Sequence, residues 1–235
     1  MTLQVRDLSV IYGGNTALDG FNLTVASGEL VGLIGPNGAG KSTAVNAMTG
    51  IIKPNSGSVQ IDQKELVGAS PARMLRSGMA RTFQQAQLWR GMSVIQNLTV
   101  PVLRLGRRAA EQRAREVAEL FGITRLLDVS AALLPYGARR LVEVSRAMMT
   151  EPRIVMLDEP GAGLTPNEKD SLRQALHTLS ESNVSVVLID HDMDLVMNTC
   201  KRVTVLDAGR VLAEGTPIEI RENPEVITAY LGVSK

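Results

Sequence analysis

One stretch limits this chain more than any other: Gly35-Pro36-Asn37-Gly38-Ala39-Gly40-Lys41-Ser42-Thr43, a complete GxxxxGK[ST] pattern. It follows the apolar run Leu30 to Ile34 and leads into Ser42 to Thr49, a helix with Gly50 as its stop. Strand, glycine loop and helix in that order make a phosphate cradle. The glycines let backbone N–H groups turn inward around phosphate oxygens, and the helix start adds partial positive charge. In such a cradle Lys41 reaches the β- and γ-phosphates, and the Ser42 hydroxyl ligates Mg²⁺. A glycine-rich turn with an incidental lysine is the bland alternative. The complete pattern in its strand-loop-helix setting argues against it.

The rest of the chain alternates in the way an α/β core requires. Leu3 to Val10, Phe21 to Val25 and Ser58 to Ile61 read as strands, and turn residues Gly13-Gly14-Asn15 and Ser27-Gly28 punctuate them. From about Pro71 to Val129 the periodicity becomes helical, with Pro101 as a break, which predicts a small helical insertion. Its run from Arg107 to Glu116 reads as a solvated helix face with Glu111 and Arg115 paired four apart. A helix from Gly137 buries Leu141, Val144, Ser145 and Met148 on one face. Ile154 to Leu157, Val184 to Ile189 and Val203 to Leu206 are continuous apolar runs. Thr165-Pro166-Asn167-Glu168 has capping-box spacing and starts a helix with the stripe Leu172, Ala175, Leu176, Leu179. Apolar runs alternating with amphipathic helices imply a mostly parallel sheet covered on both faces. The chemistry of such sheets gathers beyond the carboxyl ends of the strands.

A nucleotide phosphate needs a metal ligand and a group that activates water, and two strand ends supply candidates. Ile154 to Leu157 runs into Asp158 and Glu159. Asp158 is placed to hold Mg²⁺, directly or through water, and Glu159 to accept a proton from the attacking water. An acidic pair at a strand end is often only a helix cap; behind a P-loop it reads as catalytic. The next buried strand ends at Asp190-His191-Asp192, where His191 falls beside that pair.

Composition removes other classes of function. Lys and Arg number 25 against 24 Asp and Glu, a net charge of +1, and aromatic residues are 3% of the chain. No charged groove or stacking platform for nucleic acid is indicated. The single cysteine, Cys200, suits a reducing compartment. The start MTLQVRDLSV has no leader character, and no apolar run approaches the ~18 residues that cross a bilayer. Any work at a membrane therefore goes through a partner.

Taken together, Gly35 to Thr43, Asp158-Glu159 and His191 resemble the motifs of ATP-binding cassette (ABC) transporter ATPases, and the resemblance runs from Leu3 to Leu231. It implies a P-loop core with a mostly parallel sheet, an N-terminal antiparallel β-subdomain and an inserted helical subdomain. The implied division is 1–70 and 150–215 for the β-subdomain and core, 71–149 for the helical part, and 216–235 for a C-terminal helical tail. It implies ATP and Mg²⁺ as ligands, with Tyr12 stacked on adenine, Gln84 touching metal or water, and His191 on the γ-phosphate. Two cassettes of such ATPases pair head to tail, each nucleotide lying between one P-loop and the other chain's signature. Transmembrane permease subunits, a second ATPase subunit and, indirectly, an extracellular binding protein are the implied partners, at the cytoplasmic face of the membrane. The helical region around Met74, Trp89 and Met92 reads either as the groove for a permease helix or as subdomain core.

The signature departs from the family pattern. Leu134-Pro135-Tyr136-Gly137-Ala138 stands where Leu-Ser-Gly-Gly-Gln is usual, so Pro135 replaces a serine and removes an N–H donor, while Gly137 keeps its place and offers its amide at the helix start; the resemblance sets Pro135, Tyr136 and Gly137 beside the nucleotide. Thr165 stands where the family usually has aspartate. These departures weaken the site that this signature completes and leave this chain's own P-loop site intact, which suits a heterodimer; pairing with a second copy of the chain is the other arrangement. The runs Arg81-Thr82-Phe83-Gln84 and Glu159-Pro160-Gly161-Ala162-Gly163-Leu164, with the tail from Glu214 to Gly232, look like the ATPases of branched-chain amino-acid, urea and amide importers. Lipid or lipopolysaccharide exporters have a similar tail. A regulatory ATP binder with little turnover and a ribosome- or DNA-acting ATPase are the readings from other classes.

Overall fold

The computed structural model describes residues 3–82 and 87–231. In chain order its strands are β1 (Leu3–Tyr12), β2 (Asn15–Val25), β3 (Leu30–Ile34), β4 (Ser56–Ile61), β5 (Lys64–Glu65), β6 (Met79–Arg81), β7 (Ile154–Asp158), β8 (Ser185–Ile189), β9 (Arg202–Asp207) and β10 (Arg210–Gly215). Its helices are α1 (Lys41–Met48), α2 (Pro71–Arg76), α3 (Val94–Thr99), α4 (Arg107–Leu120), α5 (Tyr136–Met148), α6 (Pro166–Glu181), α7 (Met193–Thr199), α8 (Pro217–Glu222) and α9 (Pro224–Leu231).

Two sheets organise these elements. A four-stranded antiparallel sheet has the order β2-β1-β4-β5, and a six-stranded sheet has the order β10-β9-β3-β8-β7-β6. The latter is parallel except where β10 returns along β9. Its inner strands are buried on both faces, so their apolar runs are continuous. Successive side chains divide between two cores. Leu30 and Ile34, Val155 and Leu157, and Val186 and Leu188 join the α5–α6 side. Val31 and Leu33, Ile154 and Met156, and Val187 and Ile189 join the side that holds α1 and the antiparallel sheet.

Among the described residues, the stretch from Pro71 to Val129 holds α2, α3 and α4 with loop between them, and Met79–Arg81 within it pairs with β7 as the edge of the larger sheet. Three residues carry too little alternation to stand out from helical surroundings. On α4, Glu111 accepts from Arg107 at 2.8 Å, so the expected Glu111–Arg115 pair gives way to one on the preceding turn. Met74 is buried and Met92 half-buried, while Trp89 is exposed with the Arg146 guanidinium 4.9 Å over its ring. Of the three residues read as groove or core, Met74 is core. Among the described residues no helix is long and apolar enough to cross a membrane.

Candidate active site

Parallel pairing puts three chemically loaded strand ends side by side. Leu33 of β3 and Asp158 of β7 are both registered to Ile189 of β8. The loop after β3, Glu159 after β7 and His191 after β8 therefore share one edge of the sheet.

The loop Gly35 to Gly40 is shaped by close backbone approach. A Cβ on Gly35 would lie 2.1 Å from the Leu206 carbonyl oxygen of β9. Gly40 has φ +103°, and a Cβ there would meet the Ala17 carbonyl at 2.6 Å. Glycine is required at both. Gly38 has φ +82° with open space around it, and Asn37 is exposed. Pro36 and Ala39 close a turn through an Ala39 N–H to Pro36 carbonyl bond of 3.2 Å. Lys41 begins α1 and its ammonium donates to the carbonyls of Gly35 (2.7 Å) and Pro36 (2.9 Å). Burial lowers the Lys41 pKa, opposed by the carboxylates of Glu159 and Asp158. Ser42 is exposed on the first turn of α1, and Thr43 is half-buried beside it. Ala17, Asn37 to Thr43 and Glu159 enclose a cleft of about 270 Å³.

Asp158 closes β7 and is buried. Its Oδ2 lies 3.2 Å from Arg81 Nη2, while Arg81 Nη1 donates to Asn46 at 2.6 Å and Thr49 at 3.1 Å. Burial raises the Asp158 pKa, and the Arg81 guanidinium pulls against it. Glu159 has φ +49°, a left-handed conformation that costs a non-glycine residue about 1–3 kcal/mol and persists only where its surroundings enforce it. Its N–H donates to the Ile189 carbonyl at 2.7 Å. His191 Nδ1 stands 3.7 Å from Glu159 Oε1, with the imidazole largely exposed. Asp190 beneath it is fully buried and accepts from the amides of Gly161 (3.0 Å) and Asp192 (2.9 Å).

The sequence-predicted residues thus divide into groups. The structure brings Gly35 to Thr43, Asp158, Glu159 and His191 together. Tyr12 ends β1 exposed and is absent from the lining of the P-loop cleft. Gln84 lies outside the described residues. Pro135, Tyr136 and Gly137 form the start of α5, where Pro135 is the N-cap and no side chain caps the helix. A Cβ on Gly163 would meet the Tyr136 ring at 2.6 Å, and one on Gly137 would meet both Glu168 carboxylate oxygens at 2.5 Å. The signature stretch is therefore packed against the turn that leads into α6.

Two arginines at this site escaped the sequence reading. Arg81 pairs with Asp158, and Arg140, buried in α5, donates to the Glu159 carbonyl at 2.9 Å. The second was detectable: Arg140 falls on the same i, i+3, i+4 stripe as Gly137, Leu141, Val144 and Ser145.

Comparison with known proteins places this geometry. A family model described as ABC transporter matches residues 18–162, and one described as branched-chain amino acid ATP-binding cassette transporter matches residues 210–235. The chain is 42% identical to the high-affinity branched-chain amino acid transport ATP-binding protein BraF of Pseudomonas aeruginosa, covering 98% of this chain and 97% of the relative. It is 40% identical, with the same coverage, to LivG of Escherichia coli K12, which bears the same description. The lipopolysaccharide export system ATP-binding protein LptB of Escherichia coli K12 is 35% identical at the same coverage. Among solved structures, the ADP conformation of MJ1267, an ATP-binding cassette of an ABC transporter, superposes with a TM-score of 0.90 at 29% identity, covering 99% of each chain.

Proposed function

This chain belongs to the ABC transporter ATP-binding family, and from that premise we propose that it is the motor subunit of a membrane importer for branched-chain amino acids or related small amides. It is an ATPase. The observation that carries the import reading is whole-length identity of 40–42% to two branched-chain amino acid subunits, together with the tail match at residues 210–235. The 35% identity to the lipopolysaccharide subunit keeps an exporter ATPase as the second reading.

In the proposed reaction Lys41 and the amides of Gly38 to Ser42 hold the β- and γ-phosphates in the cleft. Ser42 and Asp158 offer a hydroxyl and a carboxylate oxygen, the hard donors that suit Mg²⁺, and Gln84 is assigned to the same ion. When bound there, the ion would supply positive charge that offsets the charge of the phosphate oxygens. Glu159 takes a proton from water as the water oxygen bonds to the γ-phosphorus; the bond to the β-phosphate oxygen breaks and ADP leaves. His191 is assigned to the γ-phosphate, and Tyr12 to the adenine face.

The nucleotide is closed in by a second cassette, whose signature completes this P-loop. This chain's own Pro135-Tyr136-Gly137 stretch serves the weaker site, which suits a heterodimer. The segment 71–149, with Trp89 exposed, faces the permease, so the ATPase sits at the cytoplasmic face of the membrane by docking. The test is labelled leucine uptake by cells in which this chain is the sole copy. Glu159→Gln should abolish uptake while the protein still binds ATP and co-purifies with permeases. Uptake at the native level, or co-purification with lipid-extraction subunits, would overturn the assignment.

A further inference from the structure

Helix α5 carries a buried cation that the proposed reaction leaves without a role. The side chains of Arg140 and Glu143 are 1% and 2% exposed and pair at 2.9 Å. A guanidinium in so dry a position is costly unless every direction is matched. Arg140 uses the direction away from Glu143 for the backbone after β7: Nη2 donates to the carbonyl of Glu159 at 2.9 Å and approaches that of Asp158 at 3.5 Å.

The peptide it grips is the unusual one. Glu159 is left-handed at φ +49°, and its N–H is held by the Ile189 carbonyl of β8 at 2.7 Å. Its backbone is thus held by β8 through the N–H and, at the carbonyl, by α5 through Arg140 together with the Ala162 amide of the following turn at 3.2 Å. Glu143 extends the link, since its Oε1 accepts from the Gln87 amide at 3.4 Å, just after the segment that contains Gln84. One turn before Arg140, α5 carries Gly137 of the signature stretch.

We propose that Arg140 is a positioning residue for hydrolysis: it fixes the angle of the Glu159 peptide, and so the aim of its carboxylate at water, and makes that aim depend on where α5 sits. This rests on the reading of Glu159 as the group that activates water. A general base must lie within hydrogen-bond reach of its proton, and a displacement of about 1 Å can cost about 100-fold in rate.

Deleting one partner of a buried pair can unfold a protein, so the test uses Arg140→Lys and the paired apolar replacement Arg140→Met with Glu143→Leu, which removes both charges together. Each variant is assayed in the full ATPase complex for kcat, KM, ATP affinity and melting temperature. Both should melt near the native temperature and bind ATP within about twofold of native, with KM little changed and kcat lowered roughly 10- to 100-fold. A role in folding alone predicts the reverse: the apolar pair would restore kcat with stability. Native kcat in a stable apolar-pair variant, or a loss seen only in KM or ATP affinity, would overturn the assignment of Arg140. Glu159→Gln is measured alongside. If it keeps native turnover, the reading of Glu159 fails; if it abolishes turnover while the Arg140 variants remain active, only Arg140 is misassigned.

Discussion

At the end of β3 the phosphate cradle is shaped by backbone from elsewhere in the core, whereas at the start of α5 the signature stretch is shaped by the chain's own side chains. Gly35 and Gly40 are glycine because the carbonyls of Leu206 and Ala17 leave no room for a Cβ. Gly137 and Gly163 are glycine because Glu168 and the Tyr136 ring fill the space. Strand-anchored backbone holds its amides rigidly toward a ligand, as preorganised phosphate binding requires. The α5 start has Pro135 as its N-cap, which offers no N–H, and an exposed Tyr136. The difference teaches that the two ends of one cassette proposed to face phosphate need not be equally complete. One is fixed before any partner arrives, while the other is set by how α5 packs on the turn before α6.

If the P-loop end is the working one, the largest effect belongs to Glu159→Gln. Loss of a positioned proton acceptor removes about 10²–10⁴-fold of rate, so turnover should fall by that factor while ATP affinity stays native. Phosphate release under saturating ATP, read beside equilibrium nucleotide binding, checks both halves. Residual turnover above about a tenth of native would mean that the other composite site carries the reaction. Lys41→Ala should come next and act on binding. Charge-assisted hydrogen bonds contribute about 1.5–3 kcal/mol, which predicts ATP binding weakened by roughly 10- to 150-fold. Native affinity in that variant would place the phosphates away from the loop.

What the sequence could and could not disclose follows from the range of each interaction. The P-loop is legible because its residues are contiguous and its glycines answer a local need. Asp158, Glu159 and His191 are legible because continuous apolar runs mark where buried strands end. Thr165 and Thr216 announce their capping boxes three residues ahead, and both boxes form. Arg81 and Arg140 are different in their roles, even though the helix stripe marks Arg140 as buried. Each is distinguished by a partner far along the chain, 77 positions for Arg81 with Asp158 and 19 for Arg140 with the Glu159 carbonyl. Adjacent Arg139 and Arg140 have the same chemistry in the sequence, and only the helix face separates them. Met79–Arg81 was hidden for a related reason, since a three-residue edge strand is defined by its pairing with β7.

A smaller change tests the weaker end directly. Pro135→Ser restores a hydroxyl and an N–H at the N-cap of α5, where neither is now available. In the complete ATPase dimer it should raise turnover a few-fold, below the roughly tenfold that about 1.5 kcal/mol, the lower end for one hydrogen bond to a charged oxygen, would give. The gain should persist when this chain carries Glu159→Gln if, as proposed, the site that this signature completes uses the partner's glutamate. A gain that vanishes in the Glu159→Gln background would place Pro135 on the same nucleotide as this chain's P-loop and dissolve the contrast between the two ends.

The smallest effect concerns Thr165, whose identity the neighbouring Glu168 explains. The Thr165 hydroxyl accepts from the Glu168 amide at 3.4 Å and donates to Glu168 Oε2 at 2.8 Å, while the Thr165 amide donates to the same oxygen at 2.8 Å. Thr165→Ala removes the side-chain half of this box and should cost about 1 kcal/mol, a fall in melting temperature of roughly 2–4 °C for a chain of this size. Thr165→Ser keeps donor and acceptor and should remain near native. Thr165→Asp still accepts from the amide but cannot donate, and it sets a second carboxylate against Glu168. It should therefore melt below Thr165→Ser at neutral pH, and the gap should narrow as pH falls through the carboxylate range and one of the two is protonated. An aspartate variant as stable as the serine one would show that Glu168 does not select threonine here. The packing of Gly137 against that carboxylate would then no longer account for the difference between the two ends.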